Sequence, residues 1–215
     1  ISEQLKKAGL EKEQKIPLAL MKKYATKLHA DYFVSGSYQF QEPTYKATLN
    51  LHESKSGKLI EKIEKNGTDL FELIDSLSLQ LRFSMDIPEY HIEQSEDLPT
   101  SELLTTDVTA YQFAIKSMQK RVYDNQLTEA LPLMLAAVEK DPHFALALYY
   151  LSWLQSSNNE GEVAKATVQK ALDKSYRLPE RLRFAVKDFY YRFNGDHEKR
   201  QGLYKMRIEL NPQDF

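Results

Sequence analysis

Small residues in the second half of the chain recur at one fixed interval, and no other feature constrains the fold as much. Ala130, Met134 and Ala137 return as Ala164, Val168 and Ala171, each 34 positions on. A period of this length belongs to a helix pair stacked on copies of itself, in which small side chains let neighbouring helices approach. Three pairs are predicted, over 108–122 with 127–140, 143–156 with 160–174, and 179–193 with 196–209. Their turns fall in matching places, at Asp124-Asn125, Asn158-Asn159 and Asn194-Gly195. Asp141-Pro142 closes the first unit and Asn211-Pro212 the third, 70 positions apart, so the third unit carries a two-residue insertion. Arg200 and Arg207 stand where the other units have alanine, which predicts looser packing there and an end-cap role.

The first 85 residues follow other periods. Ile1 to Ala8 has a polar helical pattern. Leu20, Tyr24 and Leu28, with Met21 and Ala25 beside them, form the apolar face of a helix that has Pro17 in its first turn. Alternation then takes over, with Tyr32, Val34, Gly36, Tyr38 and Phe40 on one face. After a turn at Gln41-Glu42-Pro43 it continues through Tyr45, Ala47, Leu49 and Leu51, leaving Lys46, Thr48, Asn50 and His52 toward water. Lys58 to Lys65 is a shorter, charged strand suited to a sheet edge. Asp69 and Glu72 read as a capping pair for a helix whose buried stripe is Leu70, Ile74, Leu77 and Leu81.

The fold class that follows is an α+β N-terminal domain, a three-stranded antiparallel sheet with helices, ahead of an all-α helical-repeat domain. Between Arg82 and Lys116 there are seven acidic residues and no lysine or arginine, with Pro88 and Pro99 among them, which reads as a linker. The divisions are 1–85, an acidic linker at 86–106, and repeats over 107–215, with units at about 111–142, 145–178 and 179–212.

A hydrophobic content of 42% with 28% charged residues is that of a chain with packed cores and argues against disorder. The net charge of −2 argues against a chain-wide grip on nucleic acid. With no cysteine, disulfides, thiolate metal sites and cysteine nucleophiles are excluded. The five histidines stand apart, without the spacing that sets two metal ligands on one helix face. Asp69, Glu72 and Asp75 share a helix face, but their place in its first turns is explained by capping and the helix dipole. No glycine pattern matches a phosphate loop, and Ser35-Gly36-Ser37 lacks the flanks of a nucleophile elbow. Gly36 is expected instead to let a helix or bulge come close to the sheet. Neither an enzyme nor a cofactor is expected.

Several stretches resemble a known bacterial arrangement. Ala30-Asp31-Tyr32-Phe33-Val34-Ser35-Gly36-Ser37-Tyr38, then Ser56-Gly57-Lys58, then Asp69-Leu70-Phe71 with Leu73-Ile74-Asp75, are similar to the TolB amino-terminal-like domain. Leu104-Thr105-Thr106, Ala110-Tyr111, Asp141 to Ala147 and Leu178-Pro179-Glu180-Arg181 are similar to the tetratricopeptide repeats that follow that domain in bacterial adenylate cyclases, Ser/Thr kinases and CadC-like winged-helix regulators. The resemblance implies an accessory or sensory region of a larger bacterial protein, with an effector domain and a membrane anchor expected upstream of Ile1. It favours the extracytoplasmic, periplasmic side of a membrane over the cytoplasm. The first strand of such a domain is missing here, which leaves an open sheet edge or a different strand order.

In a repeat array the first helix of each pair lines the concave face. By register that face takes Gln112, Ile115, Gln119, Leu146, Tyr149, Trp153, Leu182, Ala185 and Phe189. An apolar groove with Tyr149, Trp153 and Phe189 suits a peptide or helical partner, unless those rings pack against the linker or the α+β domain. From Lys174 to Arg207 ten basic residues stand against four acidic ones. That surplus points to an acidic partner at the last repeat, to a solvated helix face, or to the acidic linker lying across it. The function expected is protein interaction or regulation. The alternative is a small-molecule sensor with its ligand between the two domains.

Overall fold

Alternation over residues 32–53 produces a hairpin of two ten-residue strands, β1 (Tyr32–Gln41) and β2 (Thr44–Glu53), joined at a cis Glu42–Pro43 bond. The computed structural model describes residues 16–85, 87–88, 90, 98–122 and 124–210, and the chain divides into two units, Ile1–Thr100 and Ser101–Phe215. The predicted helix at residues 1–8 and the Asn211-Pro212 closure lie outside the described residues.

In the first unit, α1 (Leu18–Lys27) precedes the hairpin, and β3 (Leu59–Gly67) and α2 (Leu70–Ser84) follow it. The strands lie in the order β1-β2-β3, all antiparallel. Residues paired across an antiparallel ladder share a face, so Val34, Gly36, Tyr38 and Phe40 sit beside Leu51, Leu49, Ala47 and Tyr45, and Leu49 sits beside Ile63. Leu73 and Leu77 of α2 close on Ile63, Leu49, Ala47 and Tyr45. The Asp69 carboxylate caps α2, accepting from the backbone N–H groups of Phe71 at 2.8 Å and Glu72 at 3.0 Å.

Five local expectations need correction. The fully buried residues of α2 are Phe71, Leu73 and Leu77, with Leu70, Ile74 and Leu81 only partly covered, because contact with Ile63 sets the helix phase. Leu28 is not on a buried face: α1 ends at Lys27, the chain turns through His29 at φ 54°, and Leu28 is 65% exposed. Pro17 caps α1 from outside, with ψ 135°, and does not belong to its first turn. His52 does not face water. It lies on the sheet face opposite Leu51, but the Phe33 ring beside it stacks at 4.9 Å and 10°, leaving it 7% exposed. Gly36 is approached by neither a helix nor a bulge; a Cβ there would stand 2.5 Å from the Thr48 carbonyl and 2.8 Å from a Leu49 methyl of the paired strand.

The second unit is a helical-repeat-like array. A short helix, α3 (Thr100–Leu103), which starts on the last residue of the first unit, leads into α4 (Val108–Val122) and α5 (Leu127–Lys140), then α6 (Ala145–Ser157) and α7 (Gly161–Asp173). A 3₁₀ turn at Ser175–Arg177 precedes α8 (Glu180–Asn194) and α9 (His197–Leu210). Each pair reverses through one left-handed residue: Asn125 at φ 53°, Asn159 at φ 62° and Gly195 at φ 67°. Asparagine and glycine tolerate that conformation best, which is why these types recur at the turns.

The recurring small residues are the buried seams. Ala130, Ala137, Ala164 and Ala171 are all 0% exposed, and Met134 and Val168 are at most 1%. One core joins α4 and α5 to Phe144, Ala147 and Leu151 at α6; a second joins Ala145 and Leu148 of α6 and Val168 and Ala171 of α7 to Val186 and Phe189 of α8. Every core therefore includes the first helix of the next pair. The third pair departs from this: α9 buries only Leu203, and Tyr204, in register with Met134 and Val168, is 41% exposed.

Candidate functional site

Six of the nine residues predicted to line the groove, Gln112, Ile115, Gln119, Tyr149, Trp153 and Phe189, fall into three settings. Gln112 and Gln119 of α4 are exposed and Ile115 is half-buried. Trp153 of α6 is half-buried and packs against both cores, and the Arg121 guanidinium lies 4.7 Å from the centre of its ring. It lines a small apolar cavity of about 40 Å³ with Met118, Met134 and Tyr150. Tyr149 and Phe189 meet edge to face at 6.0 Å and share a larger cleft of about 170 Å³. Neither cavity is lined by Gln112, Ile115 or Gln119.

The larger cleft is built by three helices. Its apolar lining is Tyr149 from α6, Phe184, Ala185 and Phe189 from α8, and Leu203 from α9; Asp188, Tyr204 and Arg207 supply its polar groups. The Asp188 carboxylate accepts from Arg200 Nε at 2.8 Å, with both side chains about a quarter exposed. Arg192 stacks on Phe189, its guanidinium 4.4 Å from the ring centre. Burial raises the Tyr149 phenol above its usual range; Tyr150 and Asp188 add to the shift and Arg192 opposes it. Tyr149 is therefore a neutral hydroxyl at physiological pH. Since its folded pKa is raised, its share of stability is intact below about pH 10 and is lost as pH rises above that.

Tyr204 and Arg207 lie on α9, a second helix, and so fall outside a face assigned to first helices alone; Asp188 lies on α8 beside Phe189, at a position the register does not assign to that face. The signal was nevertheless present: Arg200, Tyr204 and Arg207 are the positions where the third unit breaks the small-residue pattern.

The basic stretch is partly committed within its own unit. Arg177 donates to the carbonyl oxygens of Glu102 at 2.8 Å, His143 at 3.1 Å and Ser101 at 3.3 Å. The end of the acidic stretch thus meets a guanidinium through backbone carbonyls. Thr105, fully buried, donates to Asp141 Oδ2 at 2.6 Å, and Asp107 caps α4. Elsewhere, Asp75 accepts from the backbone N–H of Thr100 at 3.0 Å and from its hydroxyl, so it anchors a backbone turn as well as sharing a face with Asp69. Ser35 Oγ and His52 Nε2 are 3.2 Å apart. Among the described residues no three histidine or carboxylate side chains gather as a metal-binding group, and no helix is long and apolar enough to cross a membrane.

In comparisons with known proteins, no family model and no curated protein matches the chain.

Proposed function

We propose that the chain is a non-enzymatic interaction module of a larger bacterial protein, in which a TolB-like α+β unit accompanies tetratricopeptide-like repeats. The repeats take a partner segment in the cleft between α6, α8 and α9. The observation that carries this reading is the cleft itself: an aromatic floor of Tyr149, Phe184 and Phe189 with Arg207 in its lining and Arg192 stacked on Phe189. A large apolar side chain fits the floor, and acidic flanks suit the guanidinium groups, so the partner is an acidic segment with an apolar anchor. Trp153 serves the reading indirectly, because its contacts with both cores fix the position of α6 and hence of Tyr149.

Selection of a random-peptide library on the full chain tests this. The enriched peptides should carry an aromatic or large aliphatic residue beside acidic ones. Their affinity, measured by fluorescence anisotropy, should fall at least about tenfold with Arg207→Glu or Tyr204→Ala, and should weaken as salt is raised. Peptides that bind both variants as tightly as the parent, or a selection that enriches nothing, would overturn the reading.

A further inference from the structure

The two edges of the three-stranded sheet are built differently. β3 is charged along its length, with Glu61, Lys62, Glu64 and Lys65, and its ladder to β2 shifts register at Leu51/His52. Those are devices that keep an edge from pairing with other strands. β1 has none of them. From Tyr32 to Gln41 it contains no charged residue and no proline, and its ten pairs with β2 run without a shift. Its core-side face is also uncovered: α2 closes over β2 and β3, while Tyr32 is 39% exposed, Val34 44%, Phe40 53% and Tyr38 80%. Among the described residues no strand lies on the outer side of β1.

On the face that carries Gly36, β1 is apolar on both sides, with Val34 and Tyr32 before it and Tyr38 and Phe40 after it; on the other face Ser35 and Ser37 flank the glycine, and Phe33 and Gln39 differ. We propose that β1 pairs antiparallel with β1 of a second copy, about a two-fold axis at Gly36, giving one six-stranded sheet. In that register Ser35 meets the partner's Ser37, Val34 meets the partner's Tyr38, and Tyr32 meets the partner's Phe40. These are the serine, aromatic–β-branched and aromatic–aromatic pairs that stabilise antiparallel neighbours. Asp31 meets the partner's Gln41, so no like charges oppose each other. The bare backbone at Gly36 is flanked on both sides by Tyr38 rings, an arrangement that shields glycine in a strand. An isologous contact of this kind closes on itself and stops at two copies.

Sedimentation equilibrium of the full chain tests the proposal. The expected mass is twice the 25.0 kDa of one chain. Tyr38→Lys places an ammonium group against the partner's Val34 and should raise the dissociation constant at least about tenfold. At 80% exposure in the single chain the substitution should leave the circular dichroism unchanged, while the thermal midpoint falls only by the share that association contributes and so loses its dependence on protein concentration. Because the chain has no cysteine, a V34C/Y38C double variant should oxidise to a covalent dimer while neither single variant does. A monomer at every concentration up to the millimolar range would leave the edge to some other strand and overturn the proposal. So would an open-ended series of oligomers, a dimer that survives Tyr38→Lys and fails to cross-link, or a cross-link through Y38C alone.

Discussion

Ala164→Arg is expected to unfold the helical unit at denaturant concentrations the parent tolerates. Ala164 is 0% exposed at the seam where α7 meets its neighbours, and it has no room for a longer side chain. Overpacking alone costs about 1–3 kcal/mol, and a guanidinium forced into the seam without a carboxylate adds a desolvation penalty of several more. A loss of about 4 kcal/mol or more is a large fraction of the roughly 5–15 kcal/mol that holds a domain together. Trp153 is the single tryptophan and lies in this unit, so its fluorescence in a urea titration reads the unit by itself. The matching test is Arg200→Ala, 36 positions on. There arginine already stands at the alanine place, in a partly exposed pair with Asp188, and the change should cost about 1 kcal/mol or less. A similar loss from both substitutions would mean that the third pair packs as tightly as the second.

Phe144→Ala should be nearly as damaging for the opposite reason. Phe144 sits just before α6, 2% exposed, inside the core shared by the first two pairs. Leu178, 34 positions on and just before α8, is 1% exposed in the second core. The repeat thus supplies an apolar anchor at the start of each following pair as well as small residues at its seams. Removing the ring leaves a cavity that the α5–α6 junction can only partly close, and a loss of about 3–5 kcal/mol is expected. The urea midpoint read from Trp153 should fall, with the slope of the transition unchanged. A loss below about 1 kcal/mol would show that the helices shift to fill the space.

Much of the array could be read from the chain because its determinants are local or strictly periodic. Ala130 and Ala164, Ala137 and Ala171 mark seams wherever two helices must come close, and Asn125, Asn159 and Gly195 mark turns that need a left-handed residue. Asp69 was legible as a cap because capping depends on only three residues. What escaped depends on neighbours distant in sequence. The burial of His52 needs Phe33, 19 positions earlier, to close over it, and the phase of α2 is fixed by Ile63 on another element. The cleft needs α9 to stand beside α8 and α6, so Tyr204 and Arg207 join Tyr149 only once the array is assembled. Helical periodicity along a single segment carries no record of that meeting.

The claim that the end of the array is the working surface is tested most directly by amide hydrogen exchange on the full chain, with and without a selected acidic peptide. Binding should slow exchange across residues 180–210 and around Tyr149, leaving β1, β2 and β3 unchanged. Protection confined to residues 32–67, or none at all at saturating peptide, would contradict it.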